Sequence, residues 1–347
     1  MNSIIEQAQT HYLITFLIAC VISFALTPLF RLLAIKFEIL DHPHSSIKTH
    51  KNPTPYLGGL AIWSGWVISL FLIRFLTHFP TGTLRSLRGI LIGSAVIVLL
   101  GLVDDVLPKG LTFRKKFLVQ AVAAGILIWF NIQLHFISPF FMAVAFSVIW
   151  VIGITNAFNI IDIMDGLSGG IALIASLAFL FIAIPSEQIF VNFSAAALAG
   201  GCLGFLPYNI SSKKKIFMGD TGSLTIGFIL AAVSMGASYT EFNFIGLFAP
   251  ILILAIPIYD TALVMVLRWK KGQSPFLGSR DHFALRLEKL GFSRKQIIAI
   301  AYLASIILAS GAYLVTRLPE PLAFGLFGLI LVIALVVSYK LSMIKID

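Results

Sequence analysis

Long apolar segments separated by short polar loops recur along the whole chain. Each is about 20 residues long, which is the length that a helix needs to cross the hydrocarbon core of a bilayer. The alternation of apolar and polar positions expected of membrane barrel strands is absent. The pattern predicts an all-α, polytopic membrane protein with about eleven transmembrane helices in one domain over residues 1–347. The predicted spans lie near residues 12–35, 57–76, 89–103, 117–133, 139–156, 168–185, 194–210, 223–239, 244–267, 297–316 and 321–339.

Composition and charge placement extend this picture. With 59% hydrophobic and 12% charged residues, the chain is too apolar for an ordinary soluble domain. The first apolar run lacks a basic leader and a cleavage signal, which favours a retained helix over a signal peptide. Lys and Arg are concentrated in alternate loops, and cytoplasmic loops carry such an excess. We therefore expect an outside N-terminus and a cytoplasmic C-terminus, and membrane lipid rather than nucleic acid as the partner of the net charge of +10.

One polar series interrupts the apolar pattern in the middle of the chain. Asn156, Asn159, Asp162 and Asp165 each follow the last by three residues. Asp165 would lie on the far side of a helix from Asn156 unless the helix ends first, and Gly166 favours such a break. Ionised groups are costly in a bilayer, so these side chains need a partner, a metal ion or water. A polar helix end at the membrane surface is the alternative interpretation.

A pair of aspartates, Asp104 and Asp105, ends the third predicted span. Adjacent carboxylates repel each other unless a cation intervenes, and Mg²⁺ favours carboxylates together with phosphate oxygens and water. Acids near a helix C-terminus also oppose the helix dipole. The pair therefore indicates a cation site, and a helix end exposed to water is the alternative.

A glycine-rich turn that contains Asp220 precedes the eighth predicted span. Gly219 and Gly222 permit a tight turn, and the N-terminus of the following helix can receive an anion. Asp220 is a candidate metal ligand, although the same residues suit an ordinary helix cap. The lysines before it, Lys213 to Lys215, are better explained as a topology signal.

Two further segments place basic residues close to a predicted span. His50 and Lys51 precede the second span, where Lys51 can meet a phosphate or simply mark the membrane surface. Asp260 lies inside the ninth span, where an acid is functional by default but can instead pair with a basic loop residue. Arg280, His282 and Arg286 follow in the longest cytoplasmic loop and can bind a diphosphate, although a lone histidine is more often structural. A short amphipathic helix is predicted there over residues 282–290.

These five motifs, taken in their order along the chain, resemble those of the polyprenyl-phosphate N-acetylhexosamine-1-phosphate transferases. The resemblance extends from about residue 41 to residue 293. It implies a multi-pass enzyme of the bacterial inner membrane with its active site on the cytoplasmic face. The implied reaction moves a sugar phosphate from a UDP-N-acetylhexosamine to polyprenyl phosphate and releases UMP, which starts a cell-envelope polysaccharide. The implied cofactor is Mg²⁺, with Mn²⁺ as a substitute, and a homodimer is left open.

The resemblance also implies roles for individual residues. The implied catalytic residues are Asp104, Asp105, Asp162, Asp165 and His282. The implied metal ligands are Asp105 and Asp220. The implied substrate-binding residues are His50, Lys51, Asn156, Asn159, Asp260, Arg280 and Arg286. We further expect Asp281 to hold the ring of His282 in one tautomer.

One departure from the family pattern bears on the substrate. Many members carry several histidines in the last large loop, whereas only His282 is present here. This favours UDP-GlcNAc over the substrate of the phospho-N-acetylmuramoyl-pentapeptide transferases, which carry three consecutive histidines there. A lipid-linked transporter or flippase, and a binding protein without activity, are the rival classes. Transporters usually place polar groups near the midplane and contain internal repeats, and neither feature is seen in the sequence.

Overall fold

Helices account for most of the computed structural model, which describes residues 2–41, 53–107, 110–185, 188–240, 242–274 and 280–344, with side chains from Gln9 onward. Within these ranges the α-helices are α1 Asn2–Lys36, α2 Gly58–Ile73, α3 Thr81–Val106, α4 Phe113–Trp129, α5 Phe140–Ile160, α6 Leu167–Ala183, α7 Ile189–Asn209, α8 Gly219–Gly236, α9 Ala249–Ile253, α10 Ala255–Lys270, α11 Phe283–Lys289, α12 Arg294–Val315 and α13 Glu320–Ser342. A 3₁₀ helix, Phe244–Phe248, precedes α9. Two short strands, β1 Leu40–Asp41 and β2 Thr54–Pro55, pair antiparallel. The predicted helical character of the chain is confirmed.

Several of these helices are suited to crossing a membrane. Among the described residues, six are long and apolar enough to do so, namely α1, α3, α5, α7, α12 and α13. The chain is therefore a multi-pass membrane protein. A helix lies in each of the eleven predicted segments, but α2 and α10 have only 16 residues each and α4 and α6 only 17 each. The total of eleven spans and the orientation of the termini stay predictions.

The ninth predicted span, 244–267, is wrong as a continuous helix. The segment Phe244–Ile253 and the helix α10 meet at an angle of 71° on either side of Leu254. Pro257 lies in the first turn of α10, where its missing N–H and fixed φ suit the start of a helix. In the interior of a longer helix the same residue would remove a hydrogen bond. The next prediction, a short helix at 282–290, is confirmed by α11.

Contacts divide the described chain into two compact units, one up to Ala237 (unit 1) and one from Ser238 onward (unit 2). The single-domain prediction stays a prediction. In unit 1, α7 packs against α1, α2 and α6. Small residues such as Ala195 and Ala199 are fully buried along α7 and let neighbouring backbones approach closely. Trp66 on α2 donates its indole N–H to the carbonyl of Ser194 at 3.0 Å.

The helix α8 is buried along almost its whole length and packs against α3 and α5. Trp150 on α5 donates its indole N–H to Ser234 Oγ on α8 at 2.8 Å. The first turn of α8 contacts the last turns of α3 and α5 and the start of α4. One end of unit 1 thus collects four helix termini, and the polar motifs of the sequence lie there.

Unit 2 contains the 3₁₀ helix and α9 to α13. Ser293 and Gln296 form a capping box at the start of α12, in which Ser293 Oγ accepts from the Gln296 N–H at 3.4 Å. Asn243 accepts from the Gly246 N–H at 2.8 Å and donates to the carbonyl of Val315 at 2.8 Å. These bonds fix the start of the 3₁₀ helix to the end of α12.

Candidate active site

Asp105 binds the N-terminus of α8 from the end of α3. Its carboxylate accepts from the N–H of Asp220 at 2.8 Å, the N–H of Thr221 at 3.0 Å and Thr221 Oγ1 at 2.6 Å. Asp105 thus acts as a helix cap supplied by another helix, and the positive end of the α8 dipole offsets its charge. The close approach requires Gly219, whose φ is +71°, because a Cβ at that position would collide with the Asp105 carboxylate.

Lys116 joins two carboxylates that lie far apart in sequence. Its ammonium group lies 2.8 Å from Asp104 Oδ2 and 2.5 Å from Asp220 Oδ2. All three side chains are mostly buried, with 17%, 12% and 24% of their surface exposed. The second oxygen of Asp104 accepts from the N–H of Leu111. A cation therefore already lies between Asp104 and Asp220.

Asn159 supports Asp220 from the last turn of α5. Its Nδ2 donates to Asp220 Oδ1 at 2.9 Å and to Ser223 Oγ at 3.0 Å. Ser223 in turn donates to the carbonyl of Gly219 at 3.0 Å. Both oxygens of Asp220 are therefore held, one by Asn159 and the other by Lys116, so the carboxylate has a fixed position at the start of α8.

Asp162 lies in the turn between α5 and α6 and carries the least compensated charge of the cluster. Burial, together with the negative charges of Asp220, Asp165 and Asp105, raises the pKa of Asp162 to about 8. Among the described residues, no donor forms a hydrogen bond with its carboxylate. The position is favourable for a bound cation or for a proton.

Asp165 is separated from the helix that carries the earlier polar residues. Of the two arrangements that the sequence left open, the structure has the one in which α5 ends first, at Ile160, and the chain turns at Gly166 with φ +85°. Asp165 forms an ion pair with Lys215 at 2.6 Å. The N–H of Gly166 donates to Asn209 Oδ1 at 2.6 Å, and Asn209 Nδ2 donates to the carbonyl of Ile216 at 3.1 Å. Asn209 therefore holds the turn that contains Asp162 and Asp165 against the segment that leads to Asp220.

Asn156, predicted to bind substrate, lies within α5 and pairs with α4. It donates to Gln120 Oε1 at 2.6 Å and to the carbonyl of Ile152 at 2.7 Å. Gln120 is fully buried. This pairing satisfies two amides between membrane helices, and the substrate role of Asn156 stays a prediction.

The segment that follows His50 and Lys51 and leads into α2 lies beside the turn that carries Asp220. The N–H groups of Gly58 and Gly59 donate to the carbonyls of Phe217 and Met218 at 3.0 and 2.9 Å. The rings of Tyr56 and Phe217 lie 6.2 Å apart. His50 and Lys51 themselves lie outside the described residues, so their predicted contacts with substrate stay predictions.

In unit 2, Asp260 and His282 form a buried pair. Asp260 Oδ2 lies 2.7 Å from His282 Nδ1, and Asp260 Oδ1 accepts from the N–H of Phe283 at 2.8 Å. The expectation that Asp281 would hold this ring is wrong, because the Asp281 carboxylate instead contacts Lys271 at 2.8 Å and Arg286 at 2.9 Å. Asp260 occupies the position that the sequence analysis gave to Asp281.

Arg286 and Arg280 differ in whether their guanidinium groups are exposed to a ligand. Arg286 is buried and donates to Asp281 and to the carbonyls of Leu341 and Ile344 at the end of α13. These contacts hold the segment after His282 to the end of the chain's last helix and to Ile344, and the predicted contact of Arg286 with a diphosphate stays a prediction. Arg280 is exposed and remains the accessible basic residue of this segment.

Comparison with known proteins identifies the family. The family model described as glycosyl transferase family 4 matches residues 87–238. A probable undecaprenyl-phosphate N-acetylglucosaminyl 1-phosphate transferase of Bacillus subtilis is 29% identical over 89% of this chain and 86% of its own length. A decaprenyl-phosphate N-acetylglucosaminephosphotransferase of Mycolicibacterium smegmatis is 30% identical over 93% of this chain and 86% of its own. The chain belongs to glycosyl transferase family 4.

The family 4 match contains the whole carboxylate cluster of unit 1 and ends before Asp260 and His282. A phospho-N-acetylmuramoyl-pentapeptide-transferase of Listeria monocytogenes is also similar, at 34% identity over 64% of this chain and 74% of its own. The share of this chain that it covers is smaller than for the two relatives above. Both kinds of relative are named for the transfer of a phosphorylated sugar unit.

Carboxylate oxygens, which Mg²⁺ takes together with water, are present in this family 4 chain, and the predicted Mg²⁺ stays a prediction. Asp104 and Asp220 flank one cationic group, and Asp162 adds a poorly compensated charge. No cluster of three or more His, Cys, Asp or Glu side chains with metal-site geometry occurs among the described residues. The predicted metal role of Asp105 stays a prediction, and both of its oxygens already accept hydrogen bonds from α8.

Lys116 is the candidate site residue that the sequence did not single out, because Lys and Arg in such loops are already explained as a topology signal. A local signal was present. Arg114, Lys115 and Lys116 occupy the start of α4, where positive charge opposes the helix dipole. Such a placement is unfavourable unless acidic groups lie nearby.

Proposed function

We propose that this protein transfers N-acetylhexosamine-1-phosphate, with GlcNAc-1-phosphate as the preferred group, from a UDP-sugar to polyprenyl phosphate. UMP is released, and the product is a polyprenyl-diphosphate-linked sugar that starts a cell-envelope polysaccharide. The observation that carries the proposal is the Lys116 bridge between Asp104 and Asp220, inside the segment that matches the family. The names of the relatives in Bacillus and Mycolicibacterium supply the substrate class.

The reaction needs positioning and charge compensation more than a strong base. A phosphate oxygen of the lipid attacks the phosphorus next to the sugar, a new P–O–P bond forms, and the bond to UMP breaks. Negative charge spreads over the phosphoryl oxygens during transfer, so fixed positive charge is the main source of acceleration. Lys116 supplies such a charge, and Asp104 beside it orients the lipid phosphate or accepts its remaining proton.

The other members of the cluster have supporting roles in this proposal. Asn159 fixes Asp220, and Asp105 fixes the start of α8 on which Asp220 lies. Asp162 holds the nucleotide, as the sequence predicts, and Arg280 and His282 are the residues of unit 2 assigned to a diphosphate. Mg²⁺, or Mn²⁺ in its place, would be held by Asp220 with its neighbouring carboxylates and would neutralise phosphoryl oxygens.

The proposed topology has eleven spans, an outside N-terminus and a cytoplasmic C-terminus in the bacterial inner membrane. The loops that connect α3 to α4, α5 to α6 and α7 to α8 lie at one end of unit 1, as shown by the bonds of Lys116, Asp165 and Asn209. The α7–α8 loop holds Lys213 to Lys215, and Arg114 to Lys116 follow the α3–α4 loop, which supports a cytoplasmic location for that end and for the active site.

A second candidate function is the transfer of phospho-N-acetylmuramoyl-pentapeptide, supported by the Listeria relative. The single histidine of the 280–286 segment favours the first candidate. The two are separated by incubating the purified protein with undecaprenyl phosphate, Mg²⁺ and either radiolabelled UDP-GlcNAc or UDP-N-acetylmuramoyl-pentapeptide. We expect lipid-linked label from UDP-GlcNAc and none after chelation of Mg²⁺. Label from the pentapeptide substrate alone would favour the second candidate, and label from neither would contradict both.

A further inference from the structure

The Asp260–His282 pair lies outside the residues that the family model matches, and a role for Asp260 follows from its contacts. Asp260 is fully buried and lies in the second turn of α10, the second half of a bent apolar segment. An isolated acid in such a place is costly, so its partners explain why it is tolerated. Its two oxygens divide between two partners, His282 Nδ1 at 2.7 Å and the Phe283 N–H at 2.8 Å.

The geometry fixes which nitrogen of His282 is available. An ionised carboxylate can only accept a hydrogen bond, so the hydrogen of the pair lies on Nδ1. Nε2 is then the ring nitrogen left to meet a ligand, and no described residue forms a hydrogen bond with it. Only 6% of the His282 side chain is exposed, which limits the directions from which a ligand can reach it.

We propose that Asp260 is a positioning residue that acts through His282, holding the ring so that Nε2 faces the diphosphate of the sugar nucleotide. This proposal rests on the proposed function. The alternative is a purely structural Asp260, which caps the start of α11 through the Phe283 N–H and has no influence on the chemistry. The two alternatives differ in whether the effect of Asp260 depends on the presence of His282.

Asp260→Asn separates the two contacts. The amide oxygen of asparagine can still accept from the Phe283 N–H, so the cap of α11 is retained. Its NH₂ group then faces Nδ1 and favours the opposite tautomer, in which the hydrogen lies on Nε2. The substitution thus changes the ring while leaving the helix start in place.

The test compares the full-length wild type, Asp260→Asn, His282→Ala and the double variant in one detergent preparation. The kcat is measured with UDP-GlcNAc and undecaprenyl phosphate, and the melting temperature is taken on the same samples. We expect Asp260→Asn to lower kcat by about tenfold or more in the wild type and by less than about twofold in the His282→Ala background. Equal losses in the two backgrounds would overturn the positioning role.

A control variant and a spectroscopic readout complete the design. Asp281→Asn removes the neighbouring carboxylate, which contacts Lys271 and Arg286 instead of the ring, and its effect on kcat should be the same with and without His282. ¹⁵N-histidine NMR, with the His282 signal assigned from its absence in His282→Ala, should show the hydrogen on Nδ1 in the wild type and on Nε2 in Asp260→Asn. The same tautomer in both would also overturn the proposal. An inactive wild type would contradict the proposed function, and the NMR result would still decide the role of Asp260.

Discussion

The ammonium group of Lys116 lies 2.5 Å from Asp220 Oδ2, although the two residues are 104 positions apart in the chain. The same group lies 2.8 Å from Asp104. One lysine thus compensates two carboxylates that come from two different helices. The contact joins the ends of α3, α4 and α8 and defines where an incoming phosphate would find fixed positive charge.

Replacing Lys116 by methionine should remove activity. Methionine keeps much of the aliphatic stem but leaves Asp104 and Asp220 without their shared cation, so their mutual repulsion rises and a phosphate loses its positive partner. We expect kcat to fall by about 100-fold or more. Lys115→Met is the matched control, because Lys115 is exposed and belongs to the same turn, and it should retain near-wild-type kcat. Comparable losses in the two variants would contradict a specific role for Lys116.

Asp220→Asn should abolish transfer in a protein that still folds and inserts. Asparagine keeps the shape of the side chain but removes the charge that Lys116 and Mg²⁺ need. The measurement is transfer activity over a range of Mg²⁺ concentrations, with Glu288→Gln, a substitution at a partly exposed position of α11, as the control. Near-normal activity at low Mg²⁺ would exclude Asp220 as a ligand.

Asp105→Ala should lower stability as well as activity. The substitution leaves the N–H groups of Asp220 and Thr221 without their acceptor, and each unpaired buried group costs about 1–3 kcal/mol. We expect a clear drop in melting temperature in detergent. Asp105→Asn keeps one acceptor oxygen and should fall between the alanine variant and the wild type. An unchanged melting temperature in Asp105→Ala would show that the cap of α8 is dispensable.

Asp162 should make the metal-free protein less stable as the pH rises. Its pKa is about 8 in the folded protein and 3.8 for the free group, so the folded state holds a proton that the unfolded state has lost between these values. Stability therefore falls as the pH rises through this window. In EDTA, the melting temperature of the wild type should decline more between about pH 5 and about pH 8, which lie within that window, than that of Asp162→Asn. Parallel curves would contradict the assignment.

His282→Ala should lower turnover far more than Phe283→Leu. The loss of one contact that strengthens in the transition state is worth about 2–4 kcal/mol, or roughly 30- to 1000-fold in rate. Turnover and melting temperature measured on one sample separate a functional histidine from a structural one. Normal turnover in an early-melting His282→Ala variant would leave the residue with a structural role only.

Much of the fold could be predicted because the membrane imposes a simple rule on sequence. Apolar segments of sufficient length form helices, and each predicted segment contains one. The break at Leu254 was missed because Pro257 has no effect on hydrophobicity, although it does determine where a helix can start. The end of α5 before Asp165 was one of two arrangements left open, and Gly166 favoured it because glycine provides a local backbone signal.

The sequence was sufficient to predict which acidic residues form the site, but not which partner each of them contacts. Asp104, Asp105 and Asp220 stand out because charge is rare in such a chain. The division of labour, in which Asp105 caps α8 while Asp104 and Asp220 share Lys116, depends on contacts between distant helices. The prediction that Asp281 is the partner of His282 was wrong for the same reason. Asp281 is next to His282 in sequence, but Asp260 is the carboxylate that lies beside the ring in the folded chain.

The central claim is that a sugar phosphate, and not the sugar alone, moves to the lipid. UDP-GlcNAc labelled with ³²P at the phosphate next to the sugar is incubated with the purified protein and undecaprenyl phosphate, and the label is followed into lipid and nucleotide. The account predicts label in the lipid product and unlabelled UMP in equal amount. Label that stays in the nucleotide as UDP, with the sugar on the lipid, would contradict it.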